Sequence, residues 1–243
     1  MGFQRKAGFP LYLQIKEDLL ARIESGQWQE KAMIPTERML CEQYGASTIT
    51  VREALKLLVH ENRLRRIPGK GTFVTAPKLE HVLPRYFSFT RWAEQNGLHP
   101  TSRIMRVEVQ RADRNIRRWL QLPDGDQVTH IDRLRLGSGE PLMLEDVWVA
   151  CDLCPGLHLK DLANFPLNDI ITGDYRLPLV RAVESIEPSL ADDYTGKLLE
   201  MSSPPLILLV EHTTFTLDDR PVLFARSRYR GDRYKFSIEL TSS

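Results

Sequence analysis

Two neighbouring segments decide the fold of this chain: residues 47–56, STITVREALK, and residues 68–74, PGKGTFV. The first segment has apolar residues at helical spacing on one side and hydroxyl and basic residues on the other, which predicts a helix over about 48–61. The second is a Gly-rich turn between two β-prone runs, 64–67 and 72–75, and predicts a hairpin.

Two more helices are predicted before this pair. Residues 11–25 repeat apolar side chains at four-residue steps, and Thr36 is placed to cap a second helix that starts near Glu37. A three-residue turn at 45–47 then leads into the third helix, with Ser47 as its cap. The order of three helices and a hairpin predicts a winged helix-turn-helix domain.

Composition points to an ordinary globular protein. The chain has 243 residues, 42% hydrophobic and 27% charged. No apolar run approaches the ~18 residues that span a bilayer, and the first ten residues lack the apolar core of a signal peptide, so no membrane association is expected. Three cysteines at no framework spacing favour a reducing compartment, and we expect a cytoplasmic protein.

Charge is unevenly distributed along the chain. Residues 1–78 hold 13 Lys and Arg against 8 Asp and Glu, whereas residues 79–243 hold 20 against 24. A basic small part joined to an acidic larger part is typical of a polyanion-binding module tethered to a second function, although chance imbalance is the alternative.

The predicted third helix and hairpin carry the residues expected to bind double-stranded DNA. Thr48, Arg52 and Lys56 share the side of the helix away from the core, and an Arg fork matches a guanine edge. Lys70 brings a cation to the hairpin tip between two glycines. The candidate DNA-binding residues are Arg38, Ser47, Thr48, Thr50, Arg52, Lys56, Arg66, Gly69, Lys70 and Gly71. The alternative is a solvated basic helix followed by an incidental hairpin.

The rest of the chain alternates apolar and polar residues, as in antiparallel sheets, and predicts an α+β domain. Two hairpins are expected, over 128–149 and 206–230, with an earlier strand at 104–109 and a helix near 190–200. The predicted domains are a DNA-binding domain at 1–75, a linker at 76–84 and an effector-binding and dimerisation domain at 85–243.

The first domain resembles the GntR family of bacterial transcription regulators. The resemblance is carried in register by residues 10–15, 34–38, 50–55 and 69–74. It implies DNA contacts by Arg38, Thr50, Arg52 and Lys70. Family members typically have Arg directly after the Ser that opens the recognition helix, and this chain has Thr48 there. The operator is therefore expected to differ from that of relatives at the corresponding base pair.

The second domain resembles the UTRA ligand-sensing domain of the HutC-type branch of that family. The matching segments are residues 131–135, 139–145 and 225–233. The resemblance implies an antiparallel sheet like that of chorismate lyase, which binds a small effector without turning it over. It also implies that Ser88 and Thr90 add hydroxyl donors, because the matching segment does so in members that bind sugar phosphates.

Arginines on the predicted strands suggest an anionic effector. Two forked cations on one face clamp a carboxylate or a phosphate. The candidate effector-binding residues are Ser88, Thr90, Arg133, Arg135, Glu145, Arg226 and Tyr229. A sugar phosphate, a urocanate-like acid, a phosphonate and a fatty acid remain open as ligands. The alternative is that the arginines, Arg228 included, pair with Asp132, Glu145, Asp146 or Glu211 on the sheet.

Other chemistry has little support in the sequence. Cys151, Cys154 and His158 have no second Cys or His pair at zinc spacing, so no metal is expected. No nucleophile, phosphate-binding or dinucleotide motif appears, so we expect no cofactor, no catalytic residues and no enzyme. The leading hypothesis is a ligand-responsive, sequence-specific repressor that binds a palindromic operator as a homodimer. A lyase-like enzyme and a nonspecific DNA-binding protein are the rivals.

Overall fold

The chain forms two compact units, residues 1–77 and 78–243. The computed structural model describes residue 5 and residues 8–75, 78–83, 88–201 and 204–238. Of the predicted linker, residues 76, 77 and 84 lie outside the described residues. Among the described helices, none is long and apolar enough to cross a membrane.

The first unit is the winged helix-turn-helix that the sequence predicts. Three helices precede an antiparallel two-stranded hairpin, whose strands pair from Leu64 with Val74 to Ile67 with Gly71. The elements are α1 (Leu11–Glu24), α2 (Glu37–Tyr44), α3 (Thr48–His60), β1 (Leu64–Ile67) and β2 (Gly71–Val74).

Local chemistry fixes where α2 and α3 begin. The Thr36 hydroxyl accepts a hydrogen bond from the Met39 amide at 3.4 Å, and the Ser47 hydroxyl accepts one from the Thr50 amide at 3.3 Å. Gly45 ends α2 at φ 58°, in the left-handed region that a Cβ disfavours. Both predicted caps and the turn between the two helices are confirmed. Together they set the angle at which α3 leaves the helical core.

The second unit is built on a six-stranded antiparallel sheet in the order β4-β5-β6-β9-β8-β7. A separate two-stranded parallel sheet pairs β3, the first strand of the second unit, with β10, its last strand. The strands are β3 (Leu79–Leu83), β4 (Pro100–Arg111), β5 (Gln127–Gly137), β6 (Glu140–Ala150), β7 (Arg181–Leu190), β8 (Leu206–Phe215), β9 (Pro221–Arg230) and β10 (Tyr234–Ile238). The helices are α4 (Phe89–Gln95), α5 (Arg114–Leu120), α6 (Leu167–Gly173) and α7 (Asp193–Leu198).

The predicted α+β class and both hairpins are confirmed, and several elements were not predicted. Strand β3 occupies most of the segment assigned to a linker, since its pairing partner β10 lies more than 150 residues away in sequence. The helix predicted at 190–200 is shorter in the structure, where it is α7, because Leu190 still pairs with Leu206 at the end of β7. Strand β7 is exposed along nearly its whole length, so it lacks the alternation of a half-buried strand.

Candidate DNA-binding surface and effector cavity

One side of α3 is buried in the first unit and the other faces outward. Val51, Ala54 and Leu58 are fully buried, and they pack with Ile15 and Leu19 of α1. Most of the candidate DNA-binding residues are exposed, and Thr50 is half-buried. The exposed residues are Arg38, Ser47, Thr48, Arg52, Lys56, Arg66, Gly69, Lys70 and Gly71. The helix therefore presents its hydroxyl and basic side chains to solvent at one surface.

Glu37 connects three elements of this surface. Its Oε2 atom accepts a hydrogen bond from Arg52 Nε of α3 at 2.7 Å, and its Oε1 atom lies 3.0 Å from a terminal nitrogen of Arg66 on β1. One carboxylate on the first turn of α2 thus holds a cation of the recognition helix and a cation of the wing. The local sequence predicts only that Glu37 lies in the first turn of α2, because nothing in the sequence shows that Arg52 and Arg66 meet there.

A broad groove runs from the start of α2 to the tip of the hairpin. Its lining includes Arg38, Thr48, Arg66, Lys70 and Cys41. The Thr48 hydroxyl lies 3.9 Å from the Cys41 sulfur, so the residue in the family's Arg position faces the groove without a cation. A groove edged by cations at a helix N-terminus is suited to a phosphate backbone.

The hairpin tip has the backbone that its glycines allow. Gly69 has φ 73° and Gly71 has φ 128°, both in the region that L side chains rarely adopt. A Cβ at Gly71 would come within 3.0 Å of the Met33 sulfur. The missing side chain at Gly71 lets Met33 pack against the hairpin backbone, next to the exposed Lys70.

The second unit contains a small, partly open cavity of about 40 Å³ between the sheet and the starts of α4 and α6. Five of the seven candidate effector-binding residues line it: Ser88, Thr90, Arg133, Arg135 and Glu145. Arg133 and Arg135 project from the same face of β5, and Glu145 lies opposite Arg133 on β6. The two arginines and Glu145 are buried to more than nine-tenths of their surface.

The two arginines of the cavity differ in their partners. Arg133 Nε donates to Glu145 Oε2 at 2.5 Å, forming a buried ion pair. Arg135 donates to the Thr90 hydroxyl at 3.0 Å, and its guanidinium lies 4.6 Å from the centre of the Phe89 ring. Burial, followed by the charge of Arg133, lowers the pKa of Arg135 to about 9. Arg135 is therefore a buried cation whose direct contacts, Thr90 and Phe89, are neutral.

Ionisation of Glu145 and His212 follows from the same charges. Burial raises the pKa of Glu145, but Arg133 and Arg135 outweigh it, so the pKa of this carboxyl lies below its usual range. His212 of β8 also lines the cavity, and burial lowers its pKa. The cavity thus holds two guanidiniums, one carboxylate and an imidazole biased to the neutral form.

His212 and Asn168 line the cavity but were missed in the sequence analysis. His212 pairs in register with Ala225 on β9. Ala225 is two positions from Ser227, the partner of Glu145, and therefore lies on the same face of the sheet as Glu145. Its place on the cavity face follows from strand alternation once the order of strands is known. Asn168 comes from α6, a seven-residue helix that was not predicted.

The structure does not bring Arg226 and Tyr229 to the cavity. Arg226 is on the opposite face of the sheet, because it pairs in register with Asp146 whereas Glu145 pairs with Ser227. Its Nε donates to Glu211 Oε1 at 2.7 Å. Tyr229 is 2% exposed and packs edge-on to Tyr234 with ring centroids 4.7 Å apart. Tyr229 therefore packs in an aromatic core and is not among the residues that line the cavity.

Arg226 and Arg228 instead follow the alternative of arginine–carboxylate pairing. Arg228 donates to Asp146 Oδ2 at 2.7 Å, and His130 Nε2 lies 3.0 Å from Oδ1 of the same carboxylate. These polar pairs occupy the face of the sheet away from the cavity.

Cys151 and Cys154, the two cysteines considered as part of a metal site, are both free thiols. Cys154 is fully buried, and burial raises the pKa of its thiol to about 12. Across the described part of the chain, no group of three or more His, Cys, Asp or Glu side chains is arranged to hold a metal ion.

An aromatic cluster leads from the cavity to the first strand of the second unit. Phe89, which contacts Arg135, lies 5.7 Å from Trp92, and Trp92 stacks on Tyr234 at 4.8 Å. Tyr234 begins β10 and pairs in register with Leu79 of β3. The Leu79 amide also donates to the Arg233 carbonyl at 2.7 Å. Packed side chains thus join the cavity wall to the strand that follows the connection between the units.

A winged helix with a basic outer surface, joined to an α+β domain with a buried cationic cavity, defines the class of ligand-responsive DNA-binding proteins. Residues 11–74 match the bacterial regulatory proteins of the gntR family, and residues 95–235 match the UTRA domain. The chain belongs to the GntR family of bacterial transcription regulators and carries a UTRA effector domain.

Similar proteins agree with this assignment. The transcriptional repressor NagR of Bacillus subtilis is 32% identical over 236 residues, which is 97% of each chain. The mannosyl-D-glycerate transport/metabolism system repressor MngR of Escherichia coli is 28% identical over 94% of this chain and 95% of its own. PhnF from Mycobacterium smegmatis has the same fold, with a TM-score of 0.65, 24% identity and coverage of 94% and 100%. The chain is a transcription regulator, and the prediction that it is not an enzyme is confirmed by its family.

Proposed function

We propose that this regulator is a repressor that binds a palindromic operator as a homodimer, and that a small anionic metabolite in the cavity changes its affinity for DNA. Two copies would place two α3 helices about one helical turn apart, on half-sites related by the two-fold axis. A protein that acts on an operator works where the chromosome is, so we also propose a cytoplasmic location.

The observation that carries the effector proposal is the pair Arg133 and Arg135. Glu145 neutralises Arg133 at 2.5 Å, whereas Arg135 has no carboxylate within ion-pair distance among the described residues. A buried cation that Glu145 neutralises only from beyond ion-pair distance is costly, and an entering anion reduces that cost. A carboxylate or a phosphate accepts the paired N–H groups of a guanidinium in a planar fork.

The names of three relatives support a ligand that carries a carboxylate. One is named for mannosyl-D-glycerate, another for fructoselysine utilization and a third for histidine utilization. Each of these compounds is small, polar and carries a carboxylate. We therefore propose a polar metabolite with one acidic group near Arg135 and with hydroxyl or amine groups that meet Glu145, Ser88 and Thr90.

The route by which the effector would act starts at Arg135. An anion that draws Arg135 away from Thr90 and Phe89 would alter the packing of Phe89 on Trp92, and hence the position of β10 and β3. Occupancy of the operator would respond if the coupling between the two sites reaches ~1–3 kcal/mol.

The experiment that tests the proposal measures DNA binding first. The wild type is expected to enrich one palindromic sequence from a random duplex library. Arg52→Ala should lose ~1–3 kcal/mol of binding to that sequence, because it removes a fork that reads a base edge. Arg63→Ala is the matched control, since Arg63 pairs with Glu24 of α1 at 3.4 Å. An unchanged affinity of Arg52→Ala would contradict the assignment of α3.

The second half of the experiment screens small anions by thermal shift: hexose phosphates, sugar acids and carboxylated amino-acid derivatives. A compound at 100 times its dissociation constant should add about 2.7 kcal/mol to the free energy of unfolding. That compound should then change the affinity for the selected operator by roughly fivefold or more. A binder that stabilises the protein and leaves operator affinity unchanged would contradict the regulatory role of the cavity.

A further inference from the structure

The first turn of α3 exposes an apolar side chain that the fold does not use. Ile49 is 81% exposed and is not part of the hydrophobic cluster of the first unit, which includes Val51, Leu55 and Leu58. A β-branched residue gains little by lying on a solvated helix surface. Single exposed apolar residues are common on protein surfaces, so exposure alone does not indicate a role for Ile49. The informative observation is where Ile49 lies on α3.

Ile49 faces directly away from the core. It precedes the fully buried Leu58 by nine residues, which is roughly two and a half helical turns, so the two side chains lie on opposite sides of α3. Arg52 and Lys56 follow Ile49 at three and seven residues and share its outward face. A recognition helix reads base edges with this face of its first turns.

The neighbours of Ile49 already have partners within the protein. The Ser47 and Thr50 hydroxyls are 2.8 Å apart and complete the cap of α3, and Arg52 is held by Glu37 at 2.7 Å. The polar groups around the start of the helix are therefore oriented by the protein itself. The side chain of Ile49 projects beyond them as an apolar tip.

We propose that Ile49 is a specificity-determining residue that contacts the C5-methyl group of a thymine in each half-site of the operator. This methyl is the apolar group that a base pair presents in the major groove, so a branched apolar side chain favours thymine there. The inference rests on the proposed function, because it requires α3 to lie in the major groove of a specific site.

The test uses the operator selected from the random library, with thymines replaced one at a time by deoxyuridine, which lacks only the methyl. For the wild type, replacement at one symmetry-related thymine should lower affinity by about fourfold per half-site, the effect of one buried methyl. Ile49→Ala should bind the thymine and uracil duplexes equally well. Val59→Ala is the matched control, because Val59 is an exposed β-branched residue on the last turn of the same helix. It should keep the thymine preference of the wild type.

The outcomes separate the two proposals. A library that yields no enriched sequence contradicts the proposed function, and the role of Ile49 fails with it. An enriched operator in which no thymine-to-uracil replacement weakens wild-type binding overturns the role of Ile49 alone. So does a thymine preference that persists in Ile49→Ala. Loss of the preference in Ile49→Ala, with affinity for the uracil duplex kept, supports the inference and shows that the variant still folds.

Discussion

Arg135 shows how a single residue sets the chemistry of a site. The residue is 4% exposed, and its guanidinium contacts the Thr90 hydroxyl at 3.0 Å and the ring of Phe89. Arg135→Gln should lower affinity for the best anion of the thermal-shift screen by roughly 10- to 100-fold, because a charge-assisted hydrogen bond is lost. Titration calorimetry measures this.

The same substitution should leave stability unchanged or raised, since it removes a buried cation that no carboxylate of the described residues contacts within ion-pair distance. Arg226→Gln is the control: it removes an arginine paired with Glu211 on the other face of the sheet, and anion affinity should not change. Equal losses in the two variants would contradict the assignment of the anion to Arg135.

Residue types and alternation along single strands predict part of the lining of the effector cavity. Arg133 and Arg135 were assigned together because alternation puts positions two apart on one face of a strand. Arg226 is a candidate effector residue by its type and strand, but it lies on the opposite face of the sheet from Arg133 and Arg135. The face of β9 that adjoins the cavity face of β5 depends on the register through β6. His212 was missed for the same reason. Strand register is a long-range property that the local pattern does not contain.

At the scale of elements, Glu37 links α2 to α3 and β1, the two other elements of the proposed DNA-binding surface. Glu37→Gln removes the carboxylate that holds Arg52 and Arg66. The two arginines then become available to phosphates, so nonspecific binding should strengthen and log K should fall more steeply with log salt, by ~0.9 for each phosphate gained. Binding to the selected operator should weaken relative to nonspecific DNA, because Arg52 is no longer oriented. Fluorescence anisotropy over a salt series measures both.

Glu42→Gln is the matched control for charge. Glu42 lies on the same helix, and its carboxylate is 4.0 Å from exposed Arg38. The control should raise nonspecific binding a little and leave the ratio of specific to nonspecific affinity unchanged. A drop in both affinities for Glu37→Gln would point to simple loss of fold and count against the positioning role.

Elements with strong local signals were predicted well. The caps at Thr36 and Ser47 and the left-handed Gly45 are encoded by neighbouring residues, so α2 and α3 follow from sequence alone. Strands β3 and β7 were not predicted. The first owes its pairing to a distant strand, and the second is an edge strand without a buried face.

At the scale of the whole molecule, β7 is the place where we expect the second copy to bind. It is an edge of the sheet, ten residues long, with Val183 53% exposed and Ile186 also exposed. A long edge strand with exposed apolar side chains is prone to pair with another chain. Val183→Lys should shift the protein from dimer to monomer in sedimentation velocity, because a buried charge opposes the contact.

Leu217→Lys is the control, since Leu217 is exposed at the turn between β8 and β9 and not on β7. It should remain dimeric. A wild type that sediments as a monomer at micromolar concentration would contradict the homodimer. A dimer that Val183→Lys leaves intact would move the interface elsewhere.

The sequence by itself determined the winged helix, its capped recognition helix, the α+β class of the second unit and the family, because these depend on periodicity and on residues close together in the chain. Only the tertiary structure decided that Glu37 holds Arg52 and Arg66, that Arg135 contacts Thr90 and Phe89 and no carboxylate among the described residues, and that Arg226 lies away from the cavity. Those facts depend on which distant segments meet. Contacts between residues far apart in sequence are fixed by the packing of the whole sheet and core, and no local pattern specifies them.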